Sequence, residues 1–368
     1  MKITKIETIP IQMPLPRIFR GSHYYMTHRC TIITRVYTDE GIIGECYNGD
    51  EFETQGEVLR IINEEIAPQV IGLDVFSTER VWQAGLGATY NILRDRKLAT
   101  NAQACVDSAV LDAWGKALDQ PLYRLWGGYR DSLPVVAIAG YYEAGKTLAD
   151  FGREMEELKS RGLGGCKFKV GGRSPEEDAE RVRTARNAAG PDFILTVDAN
   201  QGYTQRDAIR FGQLVADCGI RWFEEPCRWY NDRSSMALVR AVTGIPVAAG
   251  QSEYHRGGCR DLFIDRAVDI CNFDASWSGG PTEWRRVAAM AMAFEVEMGH
   301  HEEPQISAHL LASIPHGTMM EVFHPDRDPL FYELVENRNP FEEGRYRVPS
   351  SPGWGLELNE RTIARYRV

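Results

Sequence analysis

The sequence lacks any apolar run of membrane-spanning length, so no transmembrane helix is expected. Its first residues, MKITKIETIPIQM, alternate like a strand and lack the apolar stretch of a signal peptide. The eight cysteines include no CxxC pair, which favours reduced, buried thiols over a disulfide framework. Together these absences predict a soluble, cytoplasmic protein.

The sequence also lacks a block of positive charge. Lys and Arg total 42 against 52 Asp and Glu, and the formal net charge is −10. The acidic excess argues against a nucleic-acid partner, and the missing apolar run argues against a membrane partner. These features are compatible with a small-molecule partner. The 368 residues suffice for a barrel plus a second, smaller domain.

Three stretches of the chain differ in pattern. Residues 1–125 begin with alternating runs that predict an antiparallel meander and continue into helical periodicity, strongest over 99–118. Residues 126–330 alternate between strand and helix patterns. Residues 331–368 are irregular, and we expect them to pack back on the first domain.

Eight apolar runs in the middle stretch predict parallel strands near residues 133–139, 165–170, 193–198, 220–224, 246–251, 268–274, 296–301 and 319–323. Seven of them end in a charged or amide side chain. A parallel barrel builds its site from the carboxyl ends of several strands, so this repeated placement predicts one pocket at one rim.

Lys167 and Lys169 end the second of these strands. Alternation places both ammonium groups toward the barrel mouth and Phe168 toward the helices. Like charges this close lower each other's pKa, so one lysine could act as a neutral base. Two solvated lysines at a strand end are the alternative.

Asp198 and Glu224 end the next two strands and supply the hard oxygen ligands that Mg²⁺ prefers. The third ligand is ambiguous. Gln251 stands at the expected strand end, whereas Glu253 lies one pleat further and carries the charge that neutralises a divalent ion better. We favour Glu253, and Gln251 stays open as the alternative.

Asp274 and His301 end two further strands. An aspartate on one ring nitrogen fixes the tautomer of a histidine and raises its basicity, and strand parity favours His301 over its neighbour His300. Glu321 follows on the last strand, where an apolar setting could keep it protonated as a hydrogen-bond donor. A buried salt bridge is the alternative for Glu321.

A predicted loop between the first two strands is rich in hydrogen-bonding groups, among them Arg17, Arg20, His23 and Tyr24. With Asn200, which follows Asp198, these residues are our candidates for substrate binding. So many polar groups suit a hydroxylated, doubly acidic substrate better than an aromatic one. A solvated loop is the alternative.

The chain resembles the enolase superfamily, mandelate racemase subgroup, over essentially its whole length. The resemblance rests on Lys167-Phe168-Lys169, Asp198-Ala199-Asn200, Glu224-Glu225-Pro226, Asp274 with Gly279-Gly280, His301, Ile306 to Leu311 and Glu321. It implies an α/β fold: a modified TIM barrel, (β/α)₇β, with an N-terminal α+β capping domain completed by the C-terminal segment. The departure is Gln251, where the family most often has glutamate.

The resemblance also implies a shared chemical step. The family removes the proton α to a substrate carboxylate, and Mg²⁺ stabilises the resulting enediolate. By similarity, Lys169 is the base on one face, Lys167 contacts the carboxylate, His301 with Asp274 works on the other face, and Glu321 is the electrophilic partner.

The catalytic set does not by itself choose the second step. We predict dehydration of an aldonate or aldarate to a 2-keto-3-deoxy acid, with racemisation or epimerisation of a 2-hydroxy acid as the runner-up. Cycloisomerisation and a non-catalytic binding protein on the same fold are less favoured. By analogy with the family, we expect a homo-oligomer.

Overall fold

The computed structural model describes residues 1–49 and 52–368. It opens with an antiparallel sheet of three strands in the order β1-β2-β3, which are Ile3–Arg20, Tyr25–Thr38 and Ile43–Asn48. The first two strands continue into the segment predicted as a loop, where Phe19 pairs with Met26 and Arg20 with Tyr25 after a register shift. The predicted polar loop is therefore a short turn that holds His23 and Tyr24.

Helices cover one face of this sheet. They are α1 (Gln55–Arg60), a π-helical turn (Ile61–Ile66), α2 (Ala67–Val70), α3 (Thr78–Gly85), a 3₁₀ turn (Leu86–Tyr90), α4 (Arg96–Ala117) and α5 (Leu122–Leu125). The periodic stretch predicted over 99–118 is α4, and it is buried along most of its length. Its Val106 and Val110 share an apolar cluster with Ile32 and Val36 of β2.

Eight parallel strands follow at the predicted places. They are β4 (Ser132–Ala139), β5 (Gly165–Lys169), β6 (Ile194–Asp198), β7 (Phe223–Glu224), β8 (Val247–Ala249), β9 (Ile270–Cys271), β10 (Glu297–Met298) and β11 (Met320–Phe323). Neighbours in sequence pair with each other from β4 to β10, and β11 returns to pair with β4. Met298 of β10 exchanges backbone hydrogen bonds with His316 and Thr318, just before β11.

A helix follows almost every parallel strand. They are α6 (Leu148–Ser160), α7 (Pro175–Ala189), α8 (Gln205–Leu214), α9 (Asp232–Thr243), α10 (Arg256–Ile264), α11 (Pro281–Ala293) and α12 (Pro304–Ser313), with a 3₁₀ turn at Trp229–Asn231 before α9. Ser174 forms a capping box with Glu177 at the start of α7, and Thr204 caps α8. Phe168 packs edge-on against Phe151 of α6, as alternation predicts.

The C-terminal segment contains a π-helical turn (Leu330–Leu334), β12 (Phe341–Glu342), β13 (Arg345–Arg347) and α13 (Glu360–Tyr366). β13 pairs antiparallel with the start of β4, so part of the segment extends the sheet of parallel strands. Trp354 bonds to Asp112 and Ser108 of α4, and Arg367 bridges to Ile11 of β1. The segment thus contacts both domains. The domain boundaries after residues 125 and 330 stay predictions from the sequence.

The eight cysteines all lie within the described residues, where they are buried and form no disulfide bond. Over residues 1–49 and 52–368, no helix is long and apolar enough to cross a membrane.

Candidate active site

Parallel pairing in register brings the first four predicted side chains together. Lys169 of β5 pairs with Asp198 of β6, and Asp198 pairs with Glu224 of β7. Because the strands run in the same direction, their carboxyl ends share one edge. All of these side chains, and that of Lys167, are buried.

The lysines are held by the acids that surround them. Lys167 Nζ lies 2.6 Å from Glu224 Oε1 and 2.9 and 3.0 Å from the two oxygens of Glu321. Lys169 Nζ lies 2.6 Å from Asp198 Oδ2 and 2.9 Å from Asn200 Oδ1. Five predicted residues, with Asn200, therefore form one buried cluster. The contact of Glu321 with Lys167 is the salt bridge that the sequence left open as its alternative.

The charges of the lysines differ from the sequence-based expectation. Burial lowers the pKa of Lys167, but the carboxylates around it, Glu224 foremost, outweigh burial and raise that pKa above its ordinary value. Burial also lowers the pKa of Lys169, but Asp198, Tyr24 and Tyr141 together outweigh burial and raise that pKa well above its ordinary value. Their mutual repulsion is the smaller effect. Both lysines are charged here, so Lys169 can act as a base only when another positive charge engages Asp198.

The pKa values of two acids of the cluster, Glu224 and Asp198, shift in opposite directions. Burial raises the pKa of Glu224 to about 8, although Lys167 opposes that effect. Burial also raises the pKa of Asp198, but Lys169 and Lys167 outweigh it, so the net shift is downward. Asp198 is therefore held ionised, and a cation bound beside Glu224 would favour the ionised form of that carboxyl group as well.

The two candidates for the third metal ligand lie in different places. Gln251 is buried just past β8, where its Nε2 donates to Glu225 Oε2 at 2.9 Å and its Oε1 has no hydrogen-bond partner. Glu253 Oε1 instead accepts from Arg233 of α9 at 2.9 Å. The chain turns after β8, so the structure does not bring the favoured Glu253 into the cluster.

The available donors fit a magnesium ion. In the part of the chain that the structure describes, no three His, Cys, Asp or Glu side chains are placed to hold a metal. The carboxylates of Asp198 and Glu224 lie at the ends of β6 and β7, and the unpartnered amide oxygen of Gln251 lies just past the next strand, β8. Oxygen donors of this kind, with positions left for water, are what Mg²⁺ prefers.

His301 pairs with Asp274 as the sequence predicts. Its Nδ1 lies 2.8 Å from Asp274 Oδ2, and the other Asp274 oxygen accepts from the backbone N–H of Ser276. His300 has a different role, because its Nε2 accepts from the backbone N–H of Ala275. The aspartate is thus oriented by the backbone and in turn orients His301.

Glu302 is a site residue that the sequence analysis missed. Its carboxylate lies 3.1 Å from His301 Nε2, and its backbone N–H donates to Glu321 Oε2 at 3.1 Å. Alternation would turn the residue after His301 away from the site. The left-handed backbone of Glu302, with φ of 53°, turns it inward, and no strand pattern signals such a conformation.

The predicted substrate-binding residues of the first domain are dispersed. The ring of Tyr24 lies 5.8 Å from Lys169 Nζ. Arg17 pairs with Glu143 at 2.6 Å, Arg20 lies over the ring of Tyr25, and His23 Nε2 lies 3.4 Å from the carbonyl oxygen of Gly202. Tyr24 is therefore the member of this set that the structure brings to the lysines.

Two family models match the chain. The model described as enolase C-terminal domain-like matches residues 150–362, and that of the mandelate racemase / muconate lactonizing enzyme N-terminal domain matches residues 6–127.

Curated relatives include three kinds of enzyme. D-galactarolactone cycloisomerase of Agrobacterium fabrum is 30% identical, covering 100% of this chain and 99% of the relative. Arabinonate dehydratase of Saccharolobus solfataricus is 29% identical, covering 91% and 90%. N-succinyl-L-Arg/Lys racemase of Bacillus cereus is 26% identical, covering 99% and 97%.

Solved structures agree in fold over the whole chain. One mandelate racemase/muconate lactonizing enzyme is 55% identical with a TM-score of 0.97, covering 100% of this chain and 99% of that one. Another, from a marine actinobacterium in complex with magnesium, is 52% identical with a TM-score of 0.94 and the same coverage. This chain belongs to the mandelate racemase/muconate lactonizing enzyme family of the enolase superfamily.

Proposed function

We propose that this protein is a Mg²⁺-dependent acid-sugar dehydratase. It removes the proton α to a substrate carboxylate and expels the β-hydroxyl group as water, giving a 2-keto-3-deoxy acid. The observation that carries the proposal is one buried network: the lysine–carboxylate cluster ends at Glu321, and Glu321 bonds to the residue that follows His301. An arabinonate dehydratase among the relatives supports this choice of reaction.

Asp198, Glu224 and Gln251 would hold the metal ion. Bound there, Mg²⁺ would supply the positive charge that stabilises a substrate carboxylate as it gains a second negative charge. The relative that is solved in complex with magnesium supports this cofactor.

The two lysines have different tasks. Lys167 is fixed by Glu224 and by both oxygens of Glu321, so it keeps its charge and can bind the substrate carboxylate. Lys169 takes the α-proton once the charge of Asp198 is engaged elsewhere. The rings of Tyr24 and Tyr141, at 5.8 and 6.0 Å, flank its ammonium group and limit access of water.

His301 completes the reaction by protonating the departing hydroxyl group. If His301 instead returns a proton to the α-carbon from the side opposite Lys169, the product is an epimer. The oriented His301–Asp274 pair supports this second candidate, a racemase or epimerase, and so does the racemase relative. A non-catalytic binding protein is the least favoured alternative, because Lys169, Asp198, Glu224, Asp274 and His301 are all present.

The proposed reaction can be tested with a panel of aldonates and aldarates in deuterated water with added Mg²⁺. We expect the wild-type protein to exchange the α-proton of at least one acid and to form its 2-keto product. Lys169→Ala and His301→Asn should each lower turnover at least about 100-fold, the usual contribution of a positioned acid or base. NMR of the α-proton and a carbonyl assay measure the two steps.

Lys5→Ala is the matched control, since Lys5 is an exposed lysine of β1 that pairs with Glu7. It should leave turnover unchanged. Absence of exchange from every acid of the panel would reject the proposed function, and exchange without loss of water would favour the epimerase.

A further inference from the structure

Both ring nitrogens of His301 face a carboxylate. Nδ1 lies 2.8 Å from Asp274 Oδ2, and Nε2 lies 3.1 Å from Glu302 Oε1. A neutral imidazole has one donor nitrogen and one acceptor nitrogen, so it can satisfy only one of these oxygens. The doubly protonated imidazolium can donate to both.

The backbone and its neighbours fix Glu302 in this place. Glu302 and Glu303 have φ of 53° and 46°, and the N–H of Glu302 donates to Glu321 Oε2. The Glu303 carboxylate is buried and accepts from Arg29 of β2 at 2.9 Å and from Gln305 at 2.8 Å. Two consecutive left-handed residues persist only where their surroundings hold them.

The charges that face His301 favour its cationic form. Burial lowers its pKa, but the carboxylates of Glu302 and Asp274 outweigh burial and raise that pKa well above its ordinary value, against a smaller opposing effect of Lys167. The Glu225 carboxylate also acts on His301. His300 next to it is kept neutral, since burial lowers its pKa.

The same contact keeps Glu302 ionised. Burial raises the pKa of its carboxyl group, but His301 and the guanidinium groups of Arg327 and Arg29 outweigh burial and hold that pKa well below its ordinary value. These charges therefore favour an imidazolium beside a carboxylate.

We propose that Glu302 is a positioning residue that holds His301 as an imidazolium and so commits it to donating a proton rather than accepting one. This rests on the proposed function and deepens it.

Neutral Lys169 takes the α-proton, and the C–H electron pair enters the enediolate. When the enediolate collapses, the α–β double bond forms and the bond from the β-carbon to oxygen breaks. The proton on Nε2 goes to that oxygen, water leaves, and neutral His301 remains. The enol product then becomes the 2-keto acid.

The consequence is a bias between the two candidate reactions. An imidazolium cannot remove an α-proton from its own face, so the direction of epimerisation in which His301 must act as the base is suppressed. Loss of a hydroxyl group needs the donated proton and is favoured.

The charge state can be tested without substrate. With ¹³C-labelled histidine, the His301 signals are identified by their loss in His301→Asn and followed with pH. We expect the wild-type His301 to stay an imidazolium well above the ordinary range of histidine. In Glu302→Gln its pKa should fall by about 1 to 3 units, as expected for removal of an adjacent opposite charge. Glu302→Asp should restore most of the shift. An unchanged titration in Glu302→Gln overturns the proposal.

The catalytic consequence is tested in the same variants. In Glu302→Gln the ratio of α-proton exchange to dehydration should rise at least about tenfold over wild type, and Glu302→Asp should lower it again. An unchanged ratio also overturns the proposal. If the wild-type protein acts on no acid of the panel, the proposed function fails, and the titration alone then decides whether Glu302 holds the imidazolium.

Discussion

At the residue scale, the amide of Gln251 sets the charge of the proposed metal site. A carboxylate in its place would add a further acidic group beside Glu225, in a site that already contains Asp198 and Glu224. The amide instead donates to Glu225 and leaves its oxygen unpartnered. The lysines therefore have less negative charge to compensate. We expect the affinity of the site for Mg²⁺ to depend on this neutral oxygen.

Gln251→Ala should weaken Mg²⁺ binding, because it removes a proposed ligand and frees Glu225 from its hydrogen bond. We expect the Kd measured by calorimetric titration to rise at least about tenfold, the effect of losing even an outer partner of a metal site. Glu253→Gln is the matched control, since Glu253 pairs with Arg233 of α9. If Glu253→Gln raised the Kd about tenfold and Gln251→Ala left it unchanged, the ligand would be Glu253.

The residues of the site show how far a single sequence can indicate the direction of a side chain. The placement of Lys169, Asp198 and Glu224 could be predicted, because alternation and strand ends are local properties. Gln251 and Glu302 lie beyond their strands, where turns decide the direction of each side chain. A left-handed backbone at a glutamate follows from the packing of other segments, and no local pattern encodes it.

At the element scale, α12 is tied to two distant segments by one histidine. His309 is fully buried, its Nδ1 accepts from the backbone N–H of Tyr123, and its Nε2 donates to the carbonyl oxygen of Trp354. Burial lowers the pKa of His309 to about 3. The neutral ring therefore joins α12 to α5 and to the C-terminal segment.

The buried neutral histidine predicts a loss of stability in acid. Its pKa is about 6.5 in the unfolded chain and about 3 in the folded one, so below pH 6.5 the unfolded state binds a proton that the folded state does not. Stability from this source is complete above pH 6.5 and falls by about 1.4 kcal/mol per pH unit below it.

His309→Gln removes the titration while keeping an acceptor and a donor. Urea unfolding at pH 7.5 and pH 5 should show the wild-type protein losing about 2 kcal/mol more than His309→Gln. Parallel losses in the two proteins would mean that His309 is not kept neutral.

The elements themselves could be predicted to different extents. The eight parallel strands lie where apolar runs predict them, and the capping box at Ser174 marks the start of α7, because both signals are local. The hairpin of β1 and β2 differs, since Phe19 pairs with Met26 across a register shift. That pairing depends on partners across the sheet, so the polar residues there predict a loop where the structure has strands.

At the scale of the whole molecule, buried polar contacts join the first domain to the domain of parallel strands. Arg29 of β2 donates to Glu303 and Asp328, and Trp82 Nε1 donates to the carbonyl oxygen of Gly279. The contact with Glu303 reaches the backbone that orients Glu302, so docking of the two domains bears on the site. None of these pairs could be predicted, since each joins residues that only the docked domains bring together.

Asp107 of α4 makes the contact whose pH dependence is clearest. Its carboxylate accepts from the backbone N–H and the hydroxyl group of Thr282 at the start of α11, both at 2.9 Å. Burial raises its pKa to about 7, although the bonds from Thr282 oppose that effect. The folded state thus holds a proton that the unfolded state, with a pKa near 3.9, releases. The stability from this proton is complete below about pH 4 and is lost as pH rises through 7.

Asp107→Asn replaces the titrating carboxyl group with an amide of the same shape that can still accept the backbone bond. We expect wild-type stability to fall by about 2 to 3 kcal/mol relative to Asp107→Asn between pH 5 and pH 8, as measured by urea unfolding. Asp131→Asn, at an exposed carboxylate, should show no such trend. If the difference in stability between the wild-type protein and Asp107→Asn were the same at pH 5 and pH 8, the carboxylate would be ionised at both pH values. Asp107 would then act as an ordinary charged cap of α11, and the junction between the domains would not sense pH.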